Sequence, residues 1–153
     1  MYRKTNESSI APENFELPFE GKLSADNRWI IMAELIPWEE FEEEYAQNFD
    51  EEMGAPAKPF RMALGALIIK EKLKTSDRET IEQIKENPYL QYFLGMSAYS
   101  NEALFDATMF VNFRKRISKN LINKINKRMV MRERKKKEIE KKVKEKKKKK
   151  RVK

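Results

Sequence analysis

Among its 153 residues the chain has no cysteine and no histidine. Without thiols or imidazoles these residues offer no disulfide framework, no zinc site of the usual Cys/His type and no Ser–His or Cys–His nucleophile. Glycine occurs four times and proline six, so turns are few and well marked. Long apolar runs are also missing. The longest, MALGALII at 62–69, is eight residues, far short of the roughly 20 that span a bilayer. The opening MYRKTNESSI lacks the apolar core of a secretory signal. A cytoplasmic, reducing setting with no membrane partner is the expectation.

The net charge of +8 conceals two pieces. Residues 1–127 carry 17 basic and 21 acidic side chains, whereas residues 128–153 carry 16 and 4. The basic character belongs to the tail, and the body is mildly acidic. Attraction to polyanions therefore has to be argued separately for each.

Proline and glycine divide the body. Residues 1–22 hold Pro12, Pro18 and Gly21, with Phe15, Leu17 and Phe19 alternating, which predicts an extended arm whose aromatics lie on the body. Ser24 precedes RWIIMAEL, predicting a helix from near 25 to before Pro37. PWEEFEEEYAQNF, 37–49, opens with proline at the first helical position and spaces Trp38, Phe41, Tyr45 and Phe49 by 3, 4 and 4. Glu39, Glu40, Glu42, Glu43 and Glu44 lie mostly opposite that stripe. A solvated face is expected there, because one helix face cannot converge carboxylates on metal ions as two-metal chemistry requires. No cofactor or metal is expected.

After Gly54 and Pro56, Pro59 starts PFRMALGALIIKEKL, apolar all round in its middle and so a buried central helix. In TSDRETIEQIKEN, Ser76 and Glu79 have capping-box spacing, Ile81 and Ile84 face inward, and Asn87-Pro88 ends the helix. ENPYLQYFLGM, 86–96, then packs Tyr89, Leu90, Tyr92, Phe93, Leu94 and Met96 between a proline start and a glycine stop. A stacking platform for single-stranded nucleic acid would interleave basic residues. Residues 86–96 contain none, so a short helix wedged in the core is expected.

FDATMFVNFRKRISKNLINKINK predicts one helix from an Asp106 cap, with Phe105 and Phe110 at hydrophobic-staple spacing. Phe110, Phe113, Ile117, Leu121 and Ile125 form the buried stripe. The opposite face carries Thr108, Asn112, Lys115, Lys119 and Asn126, flanked by Arg114 and Arg116, with Ile122 intruding. Amides and cations on one face suit a helix entering a major groove, and equally any solvated helix. Thr108, Asn112, Arg114, Lys115, Arg116 and Lys119 are the candidate DNA-binding residues. From 128 onward the apolar period is lost. Glu133–Lys137, Glu138–Lys142, Glu140–Lys144 and Glu145–Lys149 are favourable i,i+4 pairs. The tail is expected to be a frayed helical continuation or a disordered spacer that touches nothing, so truncation after Lys127 is expected to leave thermal stability almost unchanged.

The string ENPYLQYFLG, followed after a short gap by FDATMFVNFRKRI, resembles the N-terminal domain of InsH-type bacterial insertion-sequence transposases. FELPFEGKL, NRWIIMAELIPWEEFEEEYA, PFRMALGALIIKEKL and SDRETIEQIKENP agree in order and spacing, so the resemblance covers roughly 13–127. It implies a compact all-α bundle that binds transposon-end DNA ahead of a DDE catalytic domain. A charged spacer and a ribonuclease-H-like fold bearing the catalytic aspartates follow in that family.

The expectation is therefore an all-α multi-helix bundle with helix-turn-helix-like character. It comprises an extended arm (1–22), a DNA-binding helical domain (23–127) and a long basic tail, helical or disordered (128–153). Its expected partner is double-stranded DNA, at transposon ends specifically and through the tail non-specifically, with no small-molecule substrate. No catalysis is expected, because no strand series for a DDE fold is visible. The alternatives are a domain that pairs with a full-length transposase, or a non-functional truncated reading frame.

Overall fold

The computed structural model describes residues 10–47 and 58–151. Expectations for residues 1–9, for Phe49 and for the turn around Gly54 and Pro56 lie outside the described residues. Seven α-helices and no strand occur among the described residues, in agreement with the all-α expectation.

Helix α1 (Arg28–Leu35) starts later than the Ser24 signal predicts. Asn27 caps it, its Oδ1 accepting from the Trp29 N–H at 2.8 Å. Ser24 instead holds the preceding turn, its carbonyl accepting from Asn27 N–H at 3.2 Å. Both side chains are good caps, and the one nearer the apolar run prevails. Helix α2 (Trp38–Ala46) has Pro37 as its cap residue and so begins one position later than expected. Phe41 and Tyr45 are buried, and Trp38 Nε1 donates to the Ala33 carbonyl at 3.0 Å, locking α2 to α1.

Helix α3 (Phe60–Leu73) is the central rod, with Phe60, Met62 through Ala66, and Ile69 all buried. Its C-cap, Lys74, takes the left-handed conformation at φ 53°. Helix α4 (Asp77–Glu86) is capped by Ser76, whose Oγ accepts from Glu79 N–H at 3.1 Å. The Glu79 carboxylate accepts from Gln83 Nε2 at 3.0 Å. Asn87 then ends α4 and caps α5 (Pro88–Phe93), accepting from Tyr89 N–H at 2.9 Å.

Helix α5 is the hub. Phe93 meets Trp29 and Trp38 edge-on at 5.3 and 5.5 Å, a favourable aromatic geometry. Buried Gln91 is satisfied by bonds to the carbonyls of Ile84 (3.0 Å) and Ser100 (2.7 Å) and by accepting from Ser100 N–H (2.8 Å). Arg61 of α3 closes the helix, Nε and Nη2 donating to the carbonyls of Phe93 and Tyr92 at 3.0 Å each. Its guanidinium also lies over Trp38 and Tyr92. The chain leaves α5 through Gly95 at φ +90°, a conformation glycine adopts without steric cost. The aromatic density of 86–96 is core packing, as expected.

The N-terminal arm is less extended than its alternation suggests. A 3₁₀ turn covers Pro12–Asn14. Phe15 is buried against Tyr92, and Glu16 pairs with the 97–99 segment through Glu16 N–H to Ser97 O (3.1 Å) and Tyr99 N–H to Glu16 O (2.8 Å). Phe19 stays 66 % exposed rather than lying on the body.

The largest departure is at the C-terminal side. One helix was expected through 106–127. Two are found, α6 (Met109–Arg116) and α7 (Lys119–Arg151), parted at Ile117 and Ser118. Ile117 is extended at φ −110°, ψ 101°, and Ser118 Oγ caps the new helix by accepting from Leu121 N–H at 3.1 Å. The stripe Phe110, Phe113, Ile117, Leu121 and Ile125 is nevertheless buried throughout. Helix α7 runs unbroken past residue 127, and Met129 packs against the core, so the stretch from 128 does touch the body.

Candidate nucleic-acid interface

Asp106 does not cap α6 directly. It caps the turn before it, Oδ1 accepting from the Thr108 N–H (2.9 Å) and hydroxyl (3.0 Å). Those bonds hold its carboxyl below the usual range. Thr108 is the residue at the cap position of α6. Phe105 and Phe110 do meet, edge-on at 5.5 Å, and Phe113 joins them, but with Thr108 at the cap position they do not flank the helix start as the expected staple would. This aromatic cluster seats α6 against α3.

The last turn of α6 is Arg114, Lys115 and Arg116, where cations complement the helix dipole. The three are not equivalent. Arg114 is gripped by Asp77, Nη1 and Nη2 each 3.1 Å from a carboxylate oxygen. Lys70 reaches the same carboxylate at 3.0 Å, so α3, α4 and α6 meet there. Arg116 is half-buried on the side of Tyr45. Burial pushes the Tyr45 hydroxyl up to about 12, and the Arg116 charge works against that rise. Lys115 is exposed. Asn112 is half-buried, its Nδ2 3.7 Å from Met109 Sδ.

Thr108, Asn112 and Lys115 thus share one side of α6, spaced 4 and 3. Lys119 does not extend that side. It is exposed in the first turn of α7, beyond the break. On α7 it groups with exposed Asn123 and Asn126, away from buried Leu121 and Ile125. Reading 106–127 as one helix hid this second polar face. The clue was Ser118, a good cap residue inside an otherwise helical pattern.

The acidic helix bears on the same region. Lys124 and Arg128 of α7 pair with Glu44 and Glu40 of α2 at 3.4 and 2.6 Å. The glutamate face of α2 is therefore partly covered, not wholly solvated as its spacing implies. Among the described residues no group of three acidic side chains is arranged to hold a metal ion. No helix among them is long and apolar enough to cross a membrane.

A family model described as "Transposase domain (DUF772)" matches residues 17–116. The chain belongs to this transposase domain family. The match runs from the N-terminal arm to the last residue of α6, so the resemblance read from the motifs holds at the level of the family. A protein of Rhizobium meliloti described as "Uncharacterized protein ORF8 in nfe locus" is 36 % identical over 88 residues. The aligned region is 58 % of this chain and 42 % of that protein, so the chain spans less than half of the relative's length. No solved structure matches the chain. Within the transposase domain, α6 contributes RKR at the edge of the matched region, and α7 carries further cations outside it.

Proposed function

We propose that this chain is the DNA-binding module of an insertion-sequence transposase, occupying transposon-end duplex without cutting or joining it. The family match across residues 17–116 carries this reading. The exposed side of α6, with Thr108, Asn112 and Lys115, and the exposed start of α7, with Lys119, supply the hydrogen-bonding and cationic groups that duplex recognition uses. Arg114 and Arg116 act from the flank, the former held in place by Asp77. Lys119 stands at the first position of α7, where a cation opposes the helix dipole. Its presence there does not serve the helix, but it does serve a phosphate. The lysine-rich remainder of α7 adds sequence-blind attraction. DDE catalysis needs three carboxylates converging from a mixed sheet onto two ions, and the described residues form helices and no strand. Binding without a cofactor is the consistent role for these residues in the cytoplasm.

The test is fluorescence anisotropy with a duplex carrying the flanking terminal repeats and a random duplex of equal length, near physiological salt. The full chain should prefer the terminal repeats. Lys115→Ala with Lys119→Ala should weaken that binding by about tenfold and leave the helical circular dichroism unchanged. Equal affinity for both duplexes would mean that the tail alone binds and the body reads nothing.

A further inference from the structure

Three cations of α7, Lys124, Arg128 and Arg132, recur every four residues and so form one ridge, neighbours about 6 Å apart. Glu44 and Glu40 of α2, also four apart, meet the first two in reverse order, which makes an antiparallel ladder between the helices. The third cation, Arg132, lines a cleft of about 780 Å³ together with Glu39, Glu40 and Trp38. Residues 38–46 contain five glutamates and no basic side chain. Leu121 and Ile125 anchor α7 independently through the core, so the ladder is not what holds the helix on.

We infer that this ladder is an intramolecular restraint: α2 occupies the ridge of α7 that a polyanion would otherwise take, and a duplex must displace the glutamates to use it. The paired side chains are about half exposed, between 39 and 58 %, and such pairs are weak and salt-sensitive. They can therefore open without unfolding the body. Duplex DNA presents about one charge per 1.7 Å along its axis, denser than one carboxylate per helical turn, and so displaces the two glutamates, not α2 itself, when bound. This lies beyond the proposed end recognition, because it concerns any polyanion and an intramolecular competitor.

The experiment measures binding of a labelled random 20-base-pair duplex to three full-length proteins: the wild type, Glu40→Gln/Glu44→Gln, and Glu71→Gln/Glu102→Gln. The last changes net charge equally at two exposed positions away from the ladder. At low salt the ladder variant should bind on the order of fivefold more tightly than the charge-matched control, and the gap should close as salt rises. Equal affinities for the two variants, or no duplex binding by any of the three, would overturn the proposal. Because no terminal-repeat sequence is used, this outcome is independent of whether the body reads transposon ends.

Discussion

Asp77 and Arg114 are joined two oxygens to two nitrogens, each at 3.1 Å, across 37 residues of chain. Asp77 is the first residue of α4 and Arg114 lies in the last turn of α6, so both charges also suit their helix ends. The Arg114 guanidinium foremost holds the Asp77 carboxyl below its ordinary value; partial desolvation opposes this, and Lys70 adds to the lowering. A depressed carboxyl stabilises the fold above its unfolded value, about 3.9, and loses that contribution as pH falls through the lower folded value. Asp77→Asn should therefore cost about 1 kcal/mol at neutral pH. Urea denaturation of both proteins should show the gap shrinking as pH is lowered from about 5 to about 2. An equal gap at both ends would mean that the asparagine acts through shape and not through charge.

Gly65 of α3 sets how closely α5 approaches. A Cβ built there would lie 2.8 Å from Leu94 Cδ2 and 3.4 Å from a Phe93 ring carbon. Both neighbours are buried, Phe93 at 0 % and Leu94 at 2 %, so neither can swing into solvent. Overpacking a core costs about 1–3 kcal/mol, and alanine's better helix propensity returns about 0.5–1. Gly65→Ala should thus destabilise by about 1–2 kcal/mol, read from the urea midpoint at constant slope. A neutral or stabilising outcome would show that α5 can lift off α3 without loss.

Much of this was readable from residues. MALGALII could only be a central helix, Asn87-Pro88 and Gly95 bracket α5, and the stripe from Phe110 to Ile125 is buried as its spacing requires. The break at Ile117 and Ser118 was not readable from periodicity, for a physical reason. The stripe stays in register across it, and neither residue forbids a helix, so periodicity alone cannot see it. Only the competition of the Ser118 hydroxyl for a free amide decides the local geometry, and that depends on what α7 packs against. Cap choice at α1 failed likewise, Ser24 and Asn27 being chemically comparable.

The candidate interface was legible in its composition but not in its assembly. Lys115 and Lys119 are both exposed, but on different helices. The commitments of Arg114 to Asp77, and of Lys124 and Arg128 to α2, are long-range pairings that no local pattern encodes. The glutamate face of α2 looked solvated for the same reason: its partners lie some 80 residues away.

The same long-range pairing changes what removing the tail should do. Sequence alone suggested a free cut after Lys127. Met129, however, packs against the core and Arg128 meets Glu40 at 2.6 Å. Partial burial of a methionine contributes about 1 kcal/mol and an exposed ion pair up to about 1 more. Removing residues 128–153 should therefore lower stability by about 1–2 kcal/mol. Removing residues 134–153 should change it very little, because that stretch is exposed wherever its side chains are described and its Glu133–Lys137 pair, at 3.5 Å, is local to the helix. Thermal melts of the two truncations beside the full chain make the comparison. If both melt with the parent, the ladder and Met129 contribute nothing to the body; if the shorter cut is also costly, α7 beyond residue 133 has a role in stability that its exposure does not reveal.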